Sequence, residues 1–112
     1  MNRTIDISAA ATGAATIFLD EMRASDNIVS VQITNAGTTT TLTYECSNDG
    51  STWVACPGIP VGWAAAPTAA STSTAAGIMV FMVQTRYFRV RISTPGTGTV
   101  VGSVSVGIGW LR

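Results

Sequence analysis

The chain carries six arginines, six acidic residues and two cysteines, with neither lysine nor histidine. That inventory limits the chemistry open to it. Without an imidazole or an amine, one chain cannot assemble a Ser-His-Asp or Cys-His relay or a Schiff base. Two carboxylate pairs remain, Asp20 beside Glu21 and Glu45 near Asp49. Neighbours on a strand point to opposite faces, and an acid in an Asn-Asp-Gly turn normally accepts hydrogen bonds from its own backbone. Neither pair reads as an acid–base couple. Gly96-Thr97-Gly98 and Gly107-Ile108-Gly109 are followed by no lysine and no helix start, so they are not phosphate loops. The expectation is a protein that is not an enzyme and holds no cofactor or metal.

Cys46 and Cys56 flank the Asn48-Asp49-Gly50 turn. Two thiols cannot complete a structural zinc site, which leaves a disulfide, two buried thiols, or a soft-metal site shared between subunits. If a five-residue loop from Asp49 to Trp53 closes the hairpin, position 46 faces position 56 within bridging reach. A shorter loop puts them out of register.

Arg86, Arg89 and Arg91 surround Tyr87. Basic residues beside stacking aromatics suit single-stranded nucleic acid, but binding phosphates needs a positive footprint, and the formal net charge is zero. No nucleic acid is expected. Arginine against carboxylate in a protein interface is the preferred use, with Asp20, Glu21 and Asp26 as an acidic counterpart early in the chain.

Alternation of period two dominates the elements that must position these residues. Val29, Val31 and Ile33 share one face, as do Leu42, Tyr44 and Cys46, then Phe88, Val90 and Ile92, then Val100, Gly102, Val104, Val106 and Ile108. Shorter strands fit Thr4–Ile7 and Thr16–Leu19. Turns are expected at Asn35-Ala36-Gly37, Asn48-Asp49-Gly50 and Pro95-Gly96-Thr97-Gly98. One helical turn or a tight loop fits Asp20–Ala24, the loop being preferred. Seven or eight short strands so punctuated predict an all-β fold, an antiparallel β-sandwich of jelly-roll type, in one domain of 112 residues.

Two segments depart from alternation. Ile78-Met79-Val80-Phe81-Met82-Val83 is apolar on both faces, which requires cover on both sides, from a central position or from a second subunit. Residues 57–77 contain Trp63 and Pro67 and lack a period, so they are expected to form a long loop or arm packed on a neighbour. Trp63, Met79, Phe81 and Met82 are the expected apolar anchors of an interface, with Arg86, Arg89 and Arg91 as the polar ones.

Charged residues are only 11% of the chain, against about a quarter in typical soluble domains. A neutral, charge-poor surface promotes association, and arginine without lysine is the interface bias. Asp6 interrupts the place where a signal peptide needs its apolar run, and no apolar run reaches the ~20 residues of a membrane span. Synthesis in the cytoplasm with no membrane partner is the expectation.

The segment from Leu42 to Ile92 carries a resemblance. Ser47-Asn48-Asp49-Gly50 followed by Trp53, and later Arg86-Tyr87-Phe88-Arg89-Val90, is similar to the "S-x-D-G-x-x-W … R-Y-x-R-V" pattern of discoidin-type, galactose-binding-like jelly rolls. It also resembles small β-sandwich proteins of tailed bacteriophages, including head decoration (cement) proteins, head fibres and tail accessory parts. Discoidin-type domains are longer, and the disulfide that often joins their ends has no counterpart in this chain. The phage resemblance implies a virion structural protein on the capsid surface, a homo-oligomer and expected trimer that bridges subunits of the major capsid protein. A tail or baseplate part, and a module binding a glycan, are the rival expectations.

Overall fold

The computed structural model describes residues 3–23, 27–62 and 68–107. Ten strands are present: β1 (Arg3–Ala10), β2 (Ala15–Glu21), β3 (Ile28–Thr38), β4 (Thr41–Ser47), β5 (Val54–Ala55), β6 (Ile59–Pro60), β7 (Thr72–Ser73), β8 (Gly77–Met82), β9 (Tyr87–Thr94) and β10 (Thr97–Val106). They form two antiparallel sheets. One runs β1-β10-β3-β8-β6, and the other runs β2-β9-β4-β5, with β7 also pairing to β4. The long strands alternate between sheets along the chain and the first lies beside the last, the interleaving of a jelly roll. The expected all-β sandwich is therefore present, and the strands beyond eight are two-residue pieces of the 57–77 segment.

Alternation decides what goes inside. Val29, Val31, Ile33, Met79, Phe81, Val100, Val104 and Val106 from the first sheet meet Phe18, Leu42, Tyr44, Phe88, Val90 and Ile92 from the second, all buried. Aromatic rings run through the middle. Phe18 and Phe88 have centroids 6.3 Å apart, Phe88 and Phe81 5.2 Å, and Phe81 and Tyr44 4.7 Å. Tilted contacts at these separations add to area burial. The Tyr44 hydroxyl would be costly to leave unpartnered; it donates to Ser73 Oγ at 2.8 Å.

Three local expectations are corrected. Asp20 and Glu21 lie in β2, extended and paired with Phe88 and Tyr87, so neither a helical turn nor the preferred loop begins before Met22. Asn35-Ala36-Gly37 does not reverse the chain. It lies within β3 between two register irregularities: Thr34 is extra between Ile33 and Asn35, which pair with Gly102 and Val101, and Gly37 faces two residues of β10, because Ala36 pairs with Val100 and Thr38 with Thr97. Gly37 takes φ +75° and donates its N–H to Asn35 Oδ1 at 2.9 Å. The long loop is also not a free arm where it is described. Gly58 and Ala70 exchange backbone hydrogen bonds of 2.8 and 2.9 Å, and Tyr44 N–H donates to Ser71 O at 2.9 Å. Both ends of the segment thus fold back onto their own sandwich.

Candidate functional site

The outward faces of the two sheets differ in chemistry. On the second sheet, Glu45 of β4 stands opposite Arg89 of β9. Glu45 Oε1 accepts from Arg89 Nε and from Arg91 Nε, each at 2.8 Å. The Glu45 side chain is only 13% exposed. Hydrogen bonding from Arg91, and then from Arg89, holds its carboxyl below the ordinary range against the opposing effect of burial. The Arg89 guanidinium lies 4.1 Å from the centroid of Trp53, whose ring is 6.5 Å from that of Tyr87. Arg86 Nε donates to Glu21 Oε2 at 2.9 Å, and its guanidinium lies 5.5 Å from the Tyr87 ring.

The arginines expected to anchor an interface are thus engaged within the chain. Acid meets arginine as expected, but intramolecularly: Asp20 bonds Arg3 and Glu21 bonds Arg86. Asp26 lies outside the described residues. Glu45 is the residue that sequence reasoning missed as the centre of this cluster. Its outward position in β4, and that of Arg89 and Arg91 in β9, were readable as cross-strand partners once the two strands were paired.

The Asp49 turn is scaffold. Asp49 Oδ1 accepts from the N–H groups of Ser51 and Thr52, each at 2.8 Å, and from Ser47 Oγ at 2.9 Å. These bonds, that of Thr52 first, pull its carboxyl down to about 2. Gly50 takes φ +77°, and a Cβ there would meet the Tyr87 ring at 3.5 Å.

The hairpin register corrects the disulfide geometry. Cys46 pairs with Val54, not Cys56, and Cys56 N–H donates to Tyr44 O at 2.9 Å. Opposite Val54, Cys46 has two residues fewer between it and its partner than the bridging register requires, which is the shorter-loop case that puts the cysteines out of register. The two cysteines lie diagonally on adjacent strands as free thiols, Cys56 buried and Cys46 partly so. Burial, reinforced by the neighbouring Cys46, pushes Cys56 up to about 12. Among the described residues no three His, Cys, Asp or Glu side chains cluster as metal ligands.

On the first sheet the apolar segment Ile78–Val83 resolves by parity. Met79 and Phe81 point inward, 7% and 1% exposed, so they are core and not interface anchors. Ile78, Val80 and Met82 point outward, and Met82 is 61% exposed. Trp63 lies outside the described residues. Register extends the outward set. Met82 faces Ile28 of β3, Val80 faces Ile59 of β6, and Val61 N–H bonds Ile78 O. Ile59 is 45% and Val61 59% exposed.

Two rows then cross the face. One reads Ile59, Val80, Ser30, Ser105, Thr4, and the other Val61, Ile78, Gln32, Ser103, Asp6. Each is aliphatic over β6 and β8 and polar over β3, β10 and β1. Asp6, at the far strand, is the single formal charge in them. A groove of about 290 Å³ lined by Val61, Thr74, Ala75, Gly77 and Ile78 adjoins the aliphatic end. This charge-poor face, with its aliphatic stripe, is the candidate site.

No protein-family model matches the sequence, and no curated protein sequence matches it. Among solved structures, the SPBc2 prophage-derived protein YomS superposes with a TM-score of 0.74 at 13% identity, over 95% of this chain and 94% of that one. A chain from Bacillus endospore appendages, which form disulfide-linked pili, reaches a TM-score of 0.48 at 20% identity, over 95% of this chain and 84% of its own. The likeness to YomS is one of fold.

Proposed function

We propose that this protein is a non-enzymatic structural component of a phage particle, and specifically a head decoration (cement) protein. The observation that carries the reading is the outward face of the β1-β10-β3-β8-β6 sheet. Its β6–β8 half exposes aliphatic side chains where a free sandwich normally alternates to polar ones, and such patches mark interaction sites. The fold likeness to a prophage-derived protein over nearly both full lengths supports the phage setting.

Mechanistically, seating this face across a joint between capsid subunits adds buried apolar area that outward pressure must break before the shell separates. A tail or baseplate address would use the same face. A glycan platform is less well supported, because one face of Trp53 is already covered by the Arg89 guanidinium.

Particles purified from cells expressing a tagged copy test the proposal. Decoration of the heads supports it, decoration of tails moves the address, and absence from particles removes the structural role.

A further inference from the structure

We infer that the outer edge of β1, together with the slot between β1 and β2, receives an extended segment of another polypeptide, added as a further strand with aliphatic side chains at every second position. This surface is separate from the aliphatic β6–β8 face, and the inference stands whether or not that face seats on a capsid.

The backbone makes the first demand. Sandwiches blunt their edge strands by shortness, bulges, lysine or proline. At the other edges of these sheets, β5, β6 and β7 are two residues long, and β2 carries an extra residue, Ile17, between Thr16 and Phe18. β1 has none of these protections. It runs for 8 residues without lysine or proline, keeps unbroken register from Arg3 opposite Val106 to Ala10 opposite Thr99, and among the described residues pairs with β10 alone. Just past its end, Ala11 N–H donates to Gly98 O. By alternation the odd residues of β1 bond β10. The N–H and C=O groups of Thr4, Asp6, Ser8 and Ala10 therefore point away from it, in the pattern that another strand completes.

Side chains make the second demand. A slot of about 400 Å³ lies between the two edges, walled by Ile5 and Ile7 of β1 and by Ile17 and Leu19 of β2. Leu19 is 53% exposed. The charges that border the slot, Arg3 and Asp20, are paired with each other across it. A strand laid on β1 continues the alternation of its sheet, so every second side chain turns towards β2 and enters the slot. Aliphatic groups fit those walls. Main-chain bonds then supply affinity and the slot supplies specificity, the division of labour in β-strand addition.

A second copy of this chain does not meet both demands. Its own β1, centred on Asp6, sets like charges directly opposite. In any register its inward Ile5, Ile7 and Ala9 already pack on their own core, so none is free to fill the slot. The occupant is a segment whose side chains are not committed to a sandwich, such as a terminal tail or an extended loop of a partner.

Amide exchange on the isotope-labelled chain tests this, with a capped peptide, Thr-Val-Thr-Val-Thr-Val-Thr, as the probe. In the free protein the amides of Thr4, Asp6, Ser8 and Ala10 should exchange fast, and those of Ile5, Ile7 and Ala9 slowly. Millimolar peptide should slow the first set by about tenfold, the protection reached near ten times Kd. The same peptide with Asp for its central Val should protect far less, since it carries a charge into an apolar slot. Ser8→Pro removes an outward N–H at an edge position that tolerates proline; it should keep the melting transition and lose the protection. Leu19→Glu, at the exposed wall of the slot, should weaken the protection in the same way without touching β1. No protection by the peptide, equal protection by its Asp version, or protection undiminished in both variants overturns the inference. So does slow exchange of all four amides in a free protein that light scattering finds dimeric, which would give the edge to a second copy.

Discussion

Gly58 lies flat against the ring of Phe81: a Cβ at position 58 would come within 2.5 Å of Phe81 Cε2. The ring cannot retreat, because it is 1% exposed and held between Tyr44 and Phe88. The edge strand β6 is therefore laid onto β8 through a contact that only hydrogen at position 58 permits.

Gly58→Ala should destabilise the fold by about 1–3 kcal/mol, the usual cost of overpacking a filled core, read as a lower urea midpoint. Adding Phe81→Leu should recover part of that loss, since residues in contact do not combine additively. Simple additivity of the two changes would place the strain elsewhere.

Glu45→Gln should cost about 1 kcal/mol, because two partly exposed bridges share that one carboxylate. The folded-state pKa of Glu45 is lowered, so its contribution is present above the unfolded value of 4.5 and is lost as pH falls through the folded one. The melting-temperature gap between wild type and Glu45→Gln should accordingly be open at pH 7 and narrow below about pH 4.5. A gap that does not depend on pH would mean the carboxylate charge is not what matters.

Asp49 follows the same sign. Its value falls from 3.8 to about 2 on folding, so stability from the turn should decline as pH drops from 3.8 towards 2. Asp49→Ala should flatten that part of the pH–stability curve and lower the urea midpoint at pH 7, since the amides of Ser51 and Thr52 lose their acceptor.

The thiols are distinguishable by rate. Iodoacetamide on the native protein at neutral pH should modify the partly exposed Cys46 before Cys56, which is buried and held protonated. After denaturation both should alkylate equally with and without reductant. Incorporation that appears only after reduction would establish a bridge.

Much of this fold was legible from alternation, because a strand in a two-layer sandwich has one dry and one wet face. Val29, Val31 and Ile33 and then Phe88, Val90 and Ile92 declare the core directly. Ile78–Val83 was harder. With both faces apolar, parity alone does not say which half enters the core, and the expectation of Met79 and Phe81 as anchors beside Met82 fails for that reason. Only the pairing of β8 with β3 and β6 shows the outward half continuing into Ile28, Ile59 and Val61.

The misses share a cause. Register between segments distant in sequence is a tertiary property. A hairpin displaced by two residues turned Cys46 from a partner facing Cys56 into its diagonal neighbour. The same blindness hid Glu45, which lies more than forty residues before the arginines it joins. Asn35-Ala36-Gly37 carries turn chemistry, yet its polar groups serve a bulge, a distinction made by the strand alongside.

The most direct test of the account is the copy number of this chain in purified phage particles, measured by mass spectrometry for the wild type and for Met82→Glu. The account predicts wild-type copies in fixed ratio to the major capsid protein and a marked loss for Met82→Glu. Particles that contain none of the wild-type chain, or equal amounts of both proteins, would contradict it.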